Sequence, residues 1–166
     1  MTVVQVSRSK IIKAIKDEPL KTLQADHWYF FDGRGPDEKK QVRNKNCTVC
    51  AVGAVMRNAL LAPTQPLPAI AQASQVAVGN YGYGYCSASA IQLNLEEENY
   101  MAALSAFFES NAADMGINEC EDKKERKALT KKLRDMTVKF VKKSFPKTVY
   151  VNIDGAKPAK DIKVVS

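Results

Sequence analysis

Thirty-eight consecutive residues, 58–95, carry no charged side chain, although Asp, Glu, Lys and Arg make up 26% of the 166-residue chain. An uncharged run of that length is either packed inside the fold or part of a surface that meets a partner. Its first part is rich in Ala, Pro and Gln, with a short helix expected near 68–77. Its second part is a Gly/Tyr loop, GNYGYGYC at 79–86. In an extended backbone the alternation puts Tyr81, Tyr83 and Tyr85 on one face. Exposed, these rings suit stacking on bases or a protein hot spot; buried, they are a strand face that meets the core.

The charge around this run is segregated. Residues 1–57 hold eleven Lys/Arg and six Asp/Glu, residues 58–122 hold eight acids and no base, and residues 123–166 hold fourteen bases and four acids. Two arrangements fit that pattern. Either an acidic helix near 96–115 packs beside a basic helix near 123–143 and the charges pair, or the basic helix offers a face to phosphates, nucleic acid or an acidic protein. Lys131, Arg134 and Lys142 are the candidate binding residues on that helix.

The remaining pattern reads as helix-predominant α+β: a single compact domain over 1–153 with four or five helices and a small two- or three-stranded sheet. Ile11, Ile12 and Ile15 stripe a helix over 7–18, capped by Ser7 or Ser9 and stopped by Pro19. HWYFF at 27–31 suits a buried strand, and DGRGP at 32–36 forces a turn. Asn46 is a candidate cap for a central helix at 47–60, whose Ala51, Gly53, Ala54 and Ala59 permit close packing. Asn94 and Glu97 form a capping box for a helix to about 115, striped by Tyr100, Leu104, Phe107 and Phe108 and closed by Gly116. Leu129, Leu133, Met136, Phe140 and Val141 stripe a helix over 122–144, ended by Pro146. Residues 148–153 alternate like a strand, and 154–166 read as a frayed tail. No run approaches a membrane span, and no apolar stretch near the N-terminus is long enough for a secretory signal. The expected location is therefore cytoplasmic, with the four cysteines as thiols.

The chemistry open to the chain is narrow. His27 is the sole histidine, which excludes an all-histidine metal site or a two-imidazole mechanism within one chain. No dinucleotide or phosphate-loop fingerprint is present. Cys47 and Cys50 have zinc-ligand spacing, and Cys86 and Cys120, or His27, could complete a set, although Cys86 and Cys120 do not form a second close pair. A thiol at a helix start has its pKa lowered, so a dyad of His27 with Cys50 or Cys47 is a second reading. A papain-type enzyme is excluded by chain order, because no histidine follows residue 27. The third reading makes both cysteines small core residues. His27 and Trp28 read most simply as satisfied, partly buried side chains.

Trp28, Asp32 and Gly35, followed by Cys50, Ala51, Gly53 and Ala54, form a Trp…Asp-x-x-Gly…Cys-Ala-x-Gly-Ala pattern. It resembles a family of small uncharacterised phage and bacterial proteins. The resemblance covers residues 8–60 and, more loosely, 99–152, through Ala103-Leu104-Ser105, Phe108-Glu109, the basic helix and Phe145-Pro146. It implies a phage or mobile-element accessory protein and implies no reaction. The resulting expectation is a non-enzymatic, cofactor-free binding protein that neutralises a host factor. It would inhibit a host or defence protein or act as a sponge for a nucleotide signal, with a host protein or phosphorylated small ligand as partner. A homodimer is also expected. The alternatives are a cysteine-dependent hydrolase or transferase and a nucleic-acid binder using the basic C-terminal helix.

Overall fold

Strand β1 (Val3–Ser7) turns Val4 and Val6 into the core and leaves Ser7 exposed. Ser7 then caps α1 (Arg8–Asp17), its Oγ accepting from the Lys10 backbone N–H at 3.2 Å. Helix α1 buries Ile11, Ala14 and Ile15 and ends before Pro19, as its stripe and stop signal predict. The computed structural model describes residues 2–25, 29–31, 47–64, 100–153 and 156–165. Two short antiparallel strands follow, β2 (Tyr29–Phe31) and β3 (Cys47–Val49), with Phe30 opposite Thr48.

The helix expected over 47–60 starts four residues later. Cys47–Val49 pairs as a strand, which uses backbone groups that the helix would have claimed, so α2 (Ala51–Val55) begins after Cys50. It continues as a π-helical turn, Met56–Leu60, in which the Leu61 N–H bonds the Met56 carbonyl at 2.9 Å. Every residue from Ala51 to Leu60 except the half-buried Asn58 is buried, in keeping with the small-residue composition.

Helix α3 (Tyr100–Asp114) differs from the one-stripe helix expected. Met101 through Ala106, Phe108, Glu109 and Ala112 are nearly all buried, so it runs through the interior. Its apolar residues lie all round the axis, the signature of a helix covered on every side. Gly116 closes it at φ +65°, a backbone conformation that side chains with a Cβ rarely adopt.

Helix α4 (Lys123–Ser144) is capped by Asp122, whose carboxylate accepts from the Glu125 N–H at 2.8 Å. It meets α3 through rings: Phe107 stacks on Phe140 with centroids 4.2 Å apart. Glu96, Glu97 and Glu98, three of the acids in the helix expected to pair with α4, lie outside the described residues. Ion pairs among the described residues are Lys10–Asp161, Lys13–Asp17 and Arg57–Glu18.

Strand β4 (Thr148–Asn152) pairs antiparallel with β1, and β5 (Lys163–Val164) pairs on the other edge of β1, giving the order β4-β1-β5. The expected frayed tail is therefore corrected over 156–165. Besides β5, the Ala62 N–H bonds the Lys157 carbonyl at 2.9 Å and the Ala159 N–H bonds the Leu60 carbonyl at 2.8 Å. This three-stranded sheet is the small two- or three-stranded sheet expected, and among the described residues β2 and β3 add a separate two-stranded pair, for which the sequence signal is weak. The architecture is helix-predominant α+β in one compact domain. No helix among the described residues is long and apolar enough to cross a membrane.

Candidate functional site

One stripe of α4 meets two environments. Its C-terminal part, Thr137, Val138 and Val141, is buried in the core. The same side at the N-terminal end carries Lys123, Arg126, Lys127, Thr130, Leu133 and Arg134, which line a cavity of about 1010 Å³. The facing wall is the α1–β2 connector from Pro19 to Ala25, held as a turn by Thr22 and Leu23 N–H groups on the Pro19 carbonyl at 3.0 and 3.1 Å. Phe108 of α3 and Ile117, just beyond Gly116, close the base.

The rim is cationic. Lys21, Lys123, Arg126, Lys127 and Arg134 line the cavity, and no acid is among its described lining residues. The two arginines are anchored: the Arg126 Nε and Nη2 donate to the Cys120 carbonyl at 2.9 and 2.5 Å. Arg134 Nη1 reaches the Lys16 and Glu18 carbonyls at 3.4 and 3.3 Å, where the last turn of α1 leaves acceptors unsatisfied and a cation is favoured. Lys21, Lys123 and Lys127 make no ion pair or hydrogen bond among the described residues. Lys123 and Lys127 are one turn apart at the positive end of the α4 dipole, which strengthens the local potential.

Behind the connector lies a buried polar cluster. Glu18 is 1% exposed and Arg57 5%. Arg57 Nη2 and Nε donate to the two Glu18 carboxylate oxygens at 2.5 and 3.2 Å, a bidentate pair. The Thr22 hydroxyl donates to Glu18 at 2.5 Å, and the Asn58 amide donates to it at 3.1 Å. Arg57 and Asn58 both belong to the π-helical turn, which joins α2 to the foot of α1 through this carboxylate. The cluster holds the connector that forms one cavity wall.

Of the residues singled out in the sequence, Arg134 is half-buried in the cavity wall, whereas Lys131 and Lys142 are exposed on the outer side of α4. The structure therefore does not gather these three into one site. Tyr81, Tyr83, Tyr85, Cys86 and His27 lie outside the described residues. Cys47 is placed in β3 by its backbone, and its side chain also lies outside the description. Cys50 is 1% exposed in the core, and Cys120 is half-exposed between α3 and α4. Among the described residues no three His, Cys, Asp or Glu side chains are placed to hold a metal ion.

Sequence reasoning missed Lys21, Lys123, Arg126 and Lys127. The signal for the three on α4 was present: the i, i+3, i+4, i+7 stripe that reaches the core through Leu133 is basic in its first two turns. No family model, curated protein or solved structure matches the chain.

Proposed function

We propose that this protein is a non-catalytic binding protein that holds a phosphorylated small ligand in the cavity between the α1–β2 connector and α4. The supporting observation is the ring of five cations around a cavity with no acid among its described lining residues. Unpartnered ammonium groups beside a helix N-terminus favour a multiply charged anion. In the setting that the sequence resemblance implies, a phage-encoded accessory protein, stoichiometric binding of this kind neutralises a host factor by sequestration. Native mass spectrometry of the protein purified from a bacterial cytosol is expected to show one phosphate-bearing ligand per chain, lost on denaturation. A bare mass that also remains unchanged across a panel of added phosphomonoesters would refute the reading.

A second reading, nucleic-acid binding, is favoured by the outer side of α4. Lys124, Lys131, Lys132, Lys139, Lys142 and Lys143 are exposed there, and their ammonium groups make no ion pair or hydrogen bond among the described residues. Such a face predicts sequence-independent duplex binding, with log affinity falling linearly in log salt by about 0.9 for each phosphate neutralised. Affinity independent of salt would contradict it.

A further inference from the structure

We infer that the cavity ligand is a soluble phosphomonoester of an apolar alcohol rather than a nucleotide; this rests on the cavity-binding reading above. The charged part of the lining fits a phosphate group. Lys123 and Lys127 stand one turn apart on α4, and Lys21 joins them from the connector, all three without partners among the described residues. The rest of the lining decides what the phosphate is attached to. A nucleobase is recognised through in-plane donors and acceptors, so a nucleotide site needs several free neutral polar groups. Among its described lining residues the cavity has three neutral polar side chains, and two are already engaged. The Thr130 hydroxyl donates to the Arg126 carbonyl at 2.8 Å, and Asn118 has a partner of its own. Of the described lining side chains, that leaves Gln24 to read a base edge.

Leu20 on the connector presents aliphatic surface instead, and the buried Leu23, Ala25, Phe108, Ile117 and Leu133 form the apolar base behind it. A base placed there would leave its polar edge unpaired, which costs free energy, whereas a hydrocarbon loses nothing by leaving water. The cavity volume of about 1010 Å³ exceeds what phosphate alone occupies and accommodates such a body.

Isothermal titration calorimetry on the full chain tests this with octyl phosphate, adenosine monophosphate and inorganic phosphate. Octyl phosphate is expected to bind at one per chain, about a hundredfold or more tighter than inorganic phosphate, because burying the chain adds apolar transfer to the same ionic contacts. Adenosine monophosphate is expected to bind no better than inorganic phosphate. Lys123→Ala and Lys127→Ala, both at exposed positions that do not support the core, are each expected to weaken octyl phosphate about tenfold. Leu20→Asn, which removes apolar surface without adding a charge, is expected to weaken octyl phosphate while leaving inorganic phosphate unchanged. Tighter binding of adenosine monophosphate than of octyl phosphate would overturn the apolar-ester assignment and leave the cavity reading standing. No binding of any of the three would overturn both. Sedimentation with phosphatidylcholine vesicles containing phosphatidic acid, without binding of octyl phosphate, would also overturn the soluble ester.

Discussion

Glu18→Ala is expected to lower the free energy of unfolding by about 3–5 kcal/mol, because it leaves a buried guanidinium without its carboxylate. Arg57 is 5% exposed and its bonds to Glu18 are bidentate, so solvent does not replace the lost charge. A loss of that size is a large part of the stability of an ordinary domain. The double variant Glu18→Met with Arg57→Met is expected to recover most of it, since the buried guanidinium and the Glu18 carboxylate are then removed together. The two neutral members of the cluster tolerate the exchange. The Thr22 hydroxyl also reaches the Pro19 carbonyl at 3.0 Å, and the Asn58 amide also reaches the Ala14 carbonyl at 3.0 Å. Urea unfolding of the single and double variants measures both effects. Equal losses in the single and double variants would show that the pair contributes packing rather than charge compensation.

This cluster was not legible in the sequence, and the reason is physical. Glu18 reads as the last turn of a solvated helix before Pro19, and Arg57 as a basic residue near the end of a small-residue helix. Only the π-helical turn, which shifts Arg57 and Asn58 relative to an α-helical register, and the contact of α1 with α2 bring them together across 39 positions of sequence. Local patterns were legible where one element set its own limits. Ser7 and Pro19 bound α1, Gly116 closes α3, and Pro146 follows the end of α4. Patterns were misleading where long-range pairing competed with local preference. Cys47–Val49, expected as the first turn of a helix, pairs with β2 as its β-branched Thr48 and Val49 favour, and Lys163–Val164 looks like a tail yet closes the sheet against the first strand of the chain.

The candidate site was half legible for a related reason. The excess of bases after residue 122 is plain from the sequence, but charge counting does not separate the two sides of one helix. Lys131 and Lys142 stand out as strongly as Lys123 and Lys127, although the structure puts the first two outward and the second two on the cavity. Lys21 carried no signal, since only the fold of the connector brings it opposite α4.

Charge reversal on the cavity side has the second large expected effect. The double variant Lys123→Glu with Lys127→Glu replaces two of the five rim cations by anions. Losing two charge-assisted contacts costs about 3–6 kcal/mol, and the new repulsion adds to this, so affinity for a phosphorylated ligand is expected to fall by at least about a thousandfold. Stability is expected to move the other way. The acid at position 123 lies in the first turn, where the helix dipole favours it, so the variant gains a few tenths of a kcal/mol. Opposite signs in binding and stability separate a ligand contact from a structural one. Retained affinity would show that the anion is held elsewhere.

Amide NMR spectra recorded while the full chain is titrated in turn with octyl phosphate and adenosine monophosphate place the ligand on the molecule. A cavity site predicts saturating shifts, with at least one of the two ligands, at Lys21, Gln24, Asn118, Lys123, Lys127 and Thr130, and none at Lys131, Lys139 or Lys142. Shifts that follow the outer lysines without saturating, or no shifts with either ligand, would contradict it.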